Sequence, residues 1–366
     1  MGAVGVLAMS QSRFSPRKFA LVLGGQAMLA VTGFVLLPLI ARESGPAIYG
    51  EFSMFLLLFV GFSNLEVGRV LMTQAMPTVA DGPRMTPELK RLNLWNTCIV
   101  TALTGVVFLI MLGPATALGG ALTIALYCQI APYFAAESLK GRVHAAMIAR
   151  NVAQAGAFAF TLAGYALIGD DFAFWIPFVV CHALLLVQHR RWASADLWKV
   201  SGSISADTWR RIVKDASQLF SFNVFGAILF SFDRMLLKAH VPQATFGQIS
   251  AQADLGLRLN VLANALSNFV YPIFVHRHRD DKSGGADQRL LVGLVALQAL
   301  LAPVFVLLIL VSEDIVAFFF GAQFLAGQNV LAVALAVVFI GMSGFIIVPW
   351  QPAQRPNRTH SQKRWL

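Results

Sequence analysis

The feature that most constrains this chain is its division into ten apolar runs, at 19–41, 49–72, 94–112, 115–136, 145–168, 172–187, 216–237, 246–275, 290–311 and 325–350. Crossing about 30 Å of hydrocarbon takes roughly 20 apolar residues in a helix, so most of these runs are long enough to span a bilayer. Only 13% of the 366 residues are charged and 57% are hydrophobic, whereas soluble domains carry about 25% charged residues. The expected fold class is an all-α polytopic membrane protein with about ten transmembrane helices.

The net charge of +10 would suggest nucleic acid in a soluble chain. Here its placement carries the information, and no nucleic-acid partner is expected. Basic residues gather in alternate connections: Arg13, Arg17 and Lys18; Arg84, Lys90 and Arg91; Lys140, Arg142 and Arg150; Arg190 to Lys214; Arg277 to Arg289; and Arg355 to Arg364. The opposite connections hold only Arg42 and Lys238. By the positive-inside rule, both termini are expected to be cytoplasmic. In MGAVGVLAMSQSRFSPRKF the basic residues follow a short apolar run, the reverse of a secretory signal, so the first span is expected to remain as an anchor, with Met9 as an alternative start. Cys98, Cys128 and Cys181 lie singly in apolar runs, which suits packing rather than metal or redox chemistry.

Three arginines remain inside the spans, each with an acidic neighbour: Glu66 with Arg69, Asp233 with Arg234, and Asp254 with Arg258. Charge within a membrane is costly and commonly marks a functional cavity. The first and third pairs have i,i+3 and i,i+4 spacing, so those partners share a helix face. On a helix over 246–275, Ser250, Asp254, Arg258, Asn260, Asn264 and Asn268 fall within about 160° of arc, opposite Leu255, Leu259, Leu262 and Leu266. Such a face is expected to line a wet cavity, with Arg258 roughly 18 Å deep and near the midplane. Gln26 in the first span aligns with Asn223 in the seventh, and both are cavity candidates. His276-Arg-His278-Arg at a membrane edge reads as a topogenic charge run.

The chain divides by this reading into a lobe at 1–188 (spans one to six), a cytoplasmic linker at 189–215, a lobe at 216–350 (spans seven to ten) and a tail at 351–366. Within the linker, Ser205 is placed to cap an interfacial helix carrying Trp209 and Ile212. IARESGPAIYGEFSMF from Ile40 and LKAHVPQATFGQISAQ from Leu237 align without gaps, pairing Tyr49-Gly50 with Phe246-Gly247 and Ser53 with Ser250. Each copy joins an odd span to an even one, the position of an internal repeat in transporters that bind substrate between lobes.

These elements together resemble the lipid-linked oligosaccharide flippases, the O-antigen flippase-like branch of the multidrug/oligosaccharidyl-lipid/polysaccharide exporter superfamily. The resemblance rests on LPLIARESGPAIYGEFS followed by Gly68-Arg69, on FDRMLLKAHVPQATFGQISAQADLGLRL with Tyr271-Pro272, and on IVAFFFGAQFLAGQNVLAVA. It extends from Phe19 to about Ile340. Members commonly have two lobes of six spans, so the second lobe of four is an expected shortening.

The resemblance implies a transporter without bond-making chemistry in the bacterial cytoplasmic (inner) membrane. Its cargo would be an oligosaccharide linked to undecaprenyl pyrophosphate, destined for O-antigen, lipopolysaccharide or exopolysaccharide. Implied partners are membrane lipid, H+ or Na+ as coupling ion, and polysaccharide polymerase and chain-length proteins; no cofactor or metal is implied. Arg258 is the leading anion contact, since a guanidinium donates bidentately to phosphate oxygens. Asp254, Asn260, Asn264, Asn268, Glu66, Arg69, Asp233, Arg234, Gln26 and Asn223 are the other substrate-binding candidates, and Asp254–Arg258 also admits a reading as a packing ion pair. A drug or cation antiporter would favour a cavity of carboxylates and aromatics over matched charges. An outward-facing polymerase or glycosyltransferase would need larger outer loops, and the short second lobe leaves open an inactive flippase.

Overall fold

The computed structural model describes residues 16–63, 65–66, 78–79, 82–83, 86–139, 143–169, 172–192, 205–259, 285–325 and 329–347. These residues are helical apart from a two-residue ladder, β1 (Thr78–Val79) against β2 (Gly82–Pro83), antiparallel. The helices are α1 (Pro16–Ser63), α2 (Pro87–Leu112), α3 (Pro114–Leu139), α4 (Val143–Ile168) and α5 (Phe172–Trp192). They continue with α6 (Ala206–His240), α7 (Gln243–Arg258), α8 (Gly285–Leu310), α9 (Ser312–Phe320) and α10 (Val330–Ile347).

Among the described residues, five helices are long and apolar enough to cross a membrane, or six if the bent α8–α9 pair is one span. Their apolar side chains include outward stripes, such as Val31, Val35 and Leu39 on α1 and Ile176, Val180 and Leu184 on α5. Those stripes, on helices of this length, identify a multi-pass membrane protein.

Local chemistry sets the breaks. Gly45 takes φ 74, ψ 169 inside α1, a left-handed φ that suits a residue without Cβ, and Pro46 disfavours helix at the residue before it. Thus α1 is two helical pieces, 16–44 and 46–63, meeting where the sequence predicted a turn between the first two spans. At α2, Thr86 Oγ1 accepts from Leu89 N at 3.3 Å, Pro87 occupies the first turn and Glu88 follows it, a complete N-terminal signal.

Two segments depart from the sequence reading. Residues 206–215, expected as an interfacial helix, are the first turns of the continuous α6; no breaker separates them from the apolar run that follows. The connection beginning at Ser312, expected as a loop, forms α9, bent 65° from the end of α8. Its start is held by Ser312 Oγ, which donates to Ile309 O at 2.6 Å and accepts from Asn329 Nδ2 at 2.6 Å.

The residues group into two compact units. Unit 1 comprises 1–29, 58–160 and 175–230, and unit 2 comprises 30–57, 161–174 and 231–366. In unit 1, small residues let helices close: a Cβ on Gly120 would meet the Phe108 ring at 2.5 Å, and one on Gly119 would meet Trp175 at 2.2 Å. A core of Leu89, Ile130, Tyr133, Phe134, Leu185 and Leu186 fills the space between α2, α3 and α5. In unit 2, Tyr49 is enclosed by Phe52, Phe320 and Phe324 in edge-on or near edge-on contacts, and Phe52 rests against Phe174.

Candidate functional site

Unit 2 is built on the crossing of α1 and α7 at the aligned glycines. A Cβ on Gly50 would lie 3.2 Å from the Gly247 Cα, and one on Gly247 would lie 1.6 Å from the Pro46 carbonyl oxygen. Neither position has room for a side chain, so backbone meets backbone. The two segments that align in sequence therefore touch at the same aligned residue, a self-complementary contact. Phe246 and Tyr49, the aromatics preceding the glycines, are both buried.

One turn along from this crossing lies a buried polar network. Arg234 Nη1 on α6 donates to Asp254 Oδ1 on α7 at 2.6 Å and to Ser53 Oγ on α1 at 3.2 Å. Ser53 Oγ and Tyr49 OH both donate to Asp254 Oδ2, at 2.7 and 3.1 Å. The carboxylate thus accepts three hydrogen bonds, and the Arg234 and Asp254 side chains are only 6% and 14% exposed. A charge pair this enclosed holds because each partner removes the other's unpaired penalty. Two donors remain unfilled beside it: Arg234 Nη2 and Ser250 Oγ are buried without a hydrogen-bond partner.

The pairing differs from the sequence expectation. Asp254 pairs with Arg234 rather than with Arg258, because the guanidinium of another helix reaches its carboxylate at 2.6 Å. Asp233 is exposed and does not pair with Arg234; adjacent helical residues point about 100° apart, so one faced in and the other out. Arg258, half-buried, lays its side chain along α1, where a Cβ on Gly33 would come within 3.0 Å of its Cδ and 3.1 Å of its Nε. It is also within electrostatic reach of Tyr49. The polar face of α7, expected to line a wet cavity, is packed against protein as far as it is described. Ser250 and Gln252 are buried, and Asp254 is half-buried.

Glu66 is buried and within electrostatic reach of Cys128 in unit 1. Asn223 is half-buried on α6. Gln26 lies on α1, and its side chain is outside the described set. Arg69, Asn260, Asn264 and Asn268 lie outside the described residues altogether.

Several contributors carried no signal in the sequence beyond residue type. Gln252 Nε2 donates to Phe324 O at 3.0 Å and its Oε1 accepts from Leu331 N at 3.2 Å, tying α7 to the turn before α10. Gln248 Nε2 donates to Gln323 O at 2.8 Å. The two basic residues of the sparsely charged connections are both held: Lys238 pairs with Glu51 at 2.6 Å, and Arg42 Nη2 donates to Phe318 O. Glu51 accepts in addition from Gln243 Nε2 at 2.9 Å. Arg150, counted with the connection charges although it falls inside the 145–168 run, lies within α4, two residues from the Ile148 start of its apolar stretch.

Compared with known proteins, the chain matches no family model, no curated protein and no solved structure.

Proposed function

We propose that this chain is a membrane transporter that flips a polyprenyl-pyrophosphate-linked oligosaccharide across the bacterial inner membrane for surface polysaccharide synthesis. The observation that carries this reading is the Arg234–Asp254–Ser53–Tyr49 network at the crossing of two repeat-related segments. Matched charges on two helices, bridged by neutral hydroxyls of a third, suit a device that opens and closes around an anion. A drug or cation antiporter would favour carboxylates without such basic partners. In the proposed arrangement, ten spans form lobes of six and four with both termini cytoplasmic. The lobes rock around a basic chamber, and no bond is made or broken.

In the closed arrangement Asp254 satisfies Arg234. Arg258, lying along Gly33, supplies a planar fork able to take two phosphate oxygens. A pyrophosphate entering the chamber competes with Asp254 for Arg234, and the exchange loosens the α6–α7 contact. H+ or Na+ drives the return by acting on Asp233, Asp254 or Glu66.

Surface polysaccharide is measured in a strain deleted for this gene and complemented with the wild type, Arg258→Ala or Arg234→Gln. Wild type is expected to restore polysaccharide and both variants to fail at matched membrane abundance. Full rescue by Arg258→Ala removes that residue from the anion contact, and no rescue by wild type refutes the transport reading.

A further inference from the structure

The connection from α8 to α10 in unit 2 carries a surface that the proposed transport site does not use. The apolar run from Leu290 to Leu310 is about 31 Å long as a helix, so α8 already covers the roughly 30 Å of a hydrocarbon core. The chain then turns by 65° into α9. Ser312, the first residue of α9, is hydrogen-bonded to Asn329, and Asn329 Oδ1 accepts from Ala332 N in the first turn of α10 at 3.1 Å. The end of α8 and the start of α10 are therefore at one level, and α9 runs along that level rather than continuing the span. A helix leaving at 65° lies flat when the helix before it tilts by about 25°, close to the average of about 20° for membrane helices.

At 100° per residue α9 has three faces. Ser312, Val316 and Phe320 are buried and share one side; Phe320 packs on Tyr49 and Phe324. Ile315, Phe318 and Phe319 form a flank centred about 110° from that side. Glu313 and Asp314 form a second flank, centred about 110° from it in the other direction. The Phe318 side chain is 73% exposed and meets the Phe319 ring edge-on at 5.2 Å. Arg42 Nη2, donating to Phe318 O, and Gln248 Nε2, donating to Gln323 O, hold the far end of α9 and the turn after it, so the roll of the helix is set.

Protein behind, an apolar flank on one side and a carboxylate flank on the other is the arrangement of a helix lying in a membrane interface. The apolar flank also continues a bilayer-facing surface, because Leu307 and Leu310 at the end of α8 and Val333 at the start of α10 are exposed. An α9 lifted into water would leave the Phe318 ring wet. An α9 sunk into the core would carry two carboxylates into hydrocarbon.

We infer that α9 is an interfacial anchor whose partner is the phospholipid leaflet. Ile315, Phe318 and Phe319 rest at the boundary between acyl chains and headgroups, and Glu313 and Asp314 stay on the aqueous side. Through Phe320, which packs on Tyr49, the anchor fixes the hydrogen-bonded network at Asp254 relative to the membrane surface. The inference needs only a chain that spans a membrane and stands apart from the transport reading.

The test is electron paramagnetic resonance of the full chain in phosphatidylcholine nanodiscs, with a nitroxide at Phe318→Cys or at Glu313→Cys in a Cys98→Ser background. Cys128 and Cys181 are buried, and the background alone is the blank. The reading is the collision rate with oxygen, which concentrates in lipid, divided by that with a water-soluble nickel chelate. The ratio at Phe318 is expected to be about fivefold or more above that at Glu313, placing the Phe318 label about 5–10 Å into the boundary. Both side chains are exposed, so neither variant removes packing, and Ile315→Cys on the same flank is the second reporter, expected to follow Phe318. Equal ratios at Phe318 and Glu313 overturn the inference. So do a Glu313 label as deep as the Phe318 label, which would make α9 re-entrant, and a Phe318 label that neither reagent reaches, which would mean that a second copy covers the flank.

Discussion

Arg234 in unit 2 and Arg150 in unit 1 are guanidiniums within helices, the first buried and the second half-buried, and they are stabilised in opposite ways. Arg234 meets a carboxylate that also accepts from a serine and a tyrosine, so its charge is cancelled inside the protein. Arg150 meets a phenol and an aromatic face, which soften its charge without cancelling it. Each keeps one nitrogen without an acceptor, Nη2 of Arg234 and Nε of Arg150, so the two differ in the counter-ion and not in having an unfilled donor.

The comparison breaks most visibly at Asp254. Asp254→Ala leaves Arg234 buried without its counter-ion and is expected to destabilise the protein by about 3–5 kcal/mol. Thermal unfolding in detergent, followed by helical circular dichroism, measures it. The double variant Arg234→Met with Asp254→Leu is expected to recover most of that loss, because a buried pair is replaced more cheaply than it is halved. A double variant no better than Asp254→Ala would mean that packing, not charge, holds α6 to α7.

The glycine crossing is next in size. Gly247→Ala forces a Cβ against the Pro46 carbonyl and is expected to cost about 1–3 kcal/mol, read as a lower unfolding midpoint at unchanged expression. Gly24→Ala, with nothing within 4 Å of the added Cβ, is its control and is expected to be neutral or slightly stabilising.

Gln252→Leu removes a buried side chain that joins two backbone groups. It is expected to cost about 1–3 kcal/mol through the stranded partners. Faster hydrogen exchange at Leu331 N is the local readout.

The smallest expected change sharpens the contrast. Arg150→Met deletes an uncompensated charge and keeps an apolar stem, so its unfolding midpoint is expected to stay level or rise. Loss of Arg150 as large as loss of Asp254 would show that unit 1 needs its arginine for folding.

Much of this was legible in the sequence, for reasons tied to particular residues. The break at Gly45-Pro46 follows from local backbone sterics, which need no partner. Apolar runs of sufficient length mark helices because a bilayer leaves the backbone no other way to satisfy its hydrogen bonds. The alignment of Gly50 with Gly247 singled out the two positions that meet, since a missing side chain is a feature the chain displays directly.

Partner choice was not legible. The i,i+4 rule linked Asp254 to Arg258, yet Arg234 took the carboxylate, and Arg258 lay along Gly33. Arg150 was grouped with the connection charges although it falls inside the 145–168 run, and its contact with Tyr127 was not legible there. The chain by itself determined where the long apolar helices lie and the break at Gly45-Pro46, because those properties depend on covalent neighbours and on the solvent, but not the helix α9 or the continuity of α6. Only the tertiary structure decided which charges cancel and which remain open, because ion pairs fall off steeply with distance and the deciding distances are set by helices far apart in sequence.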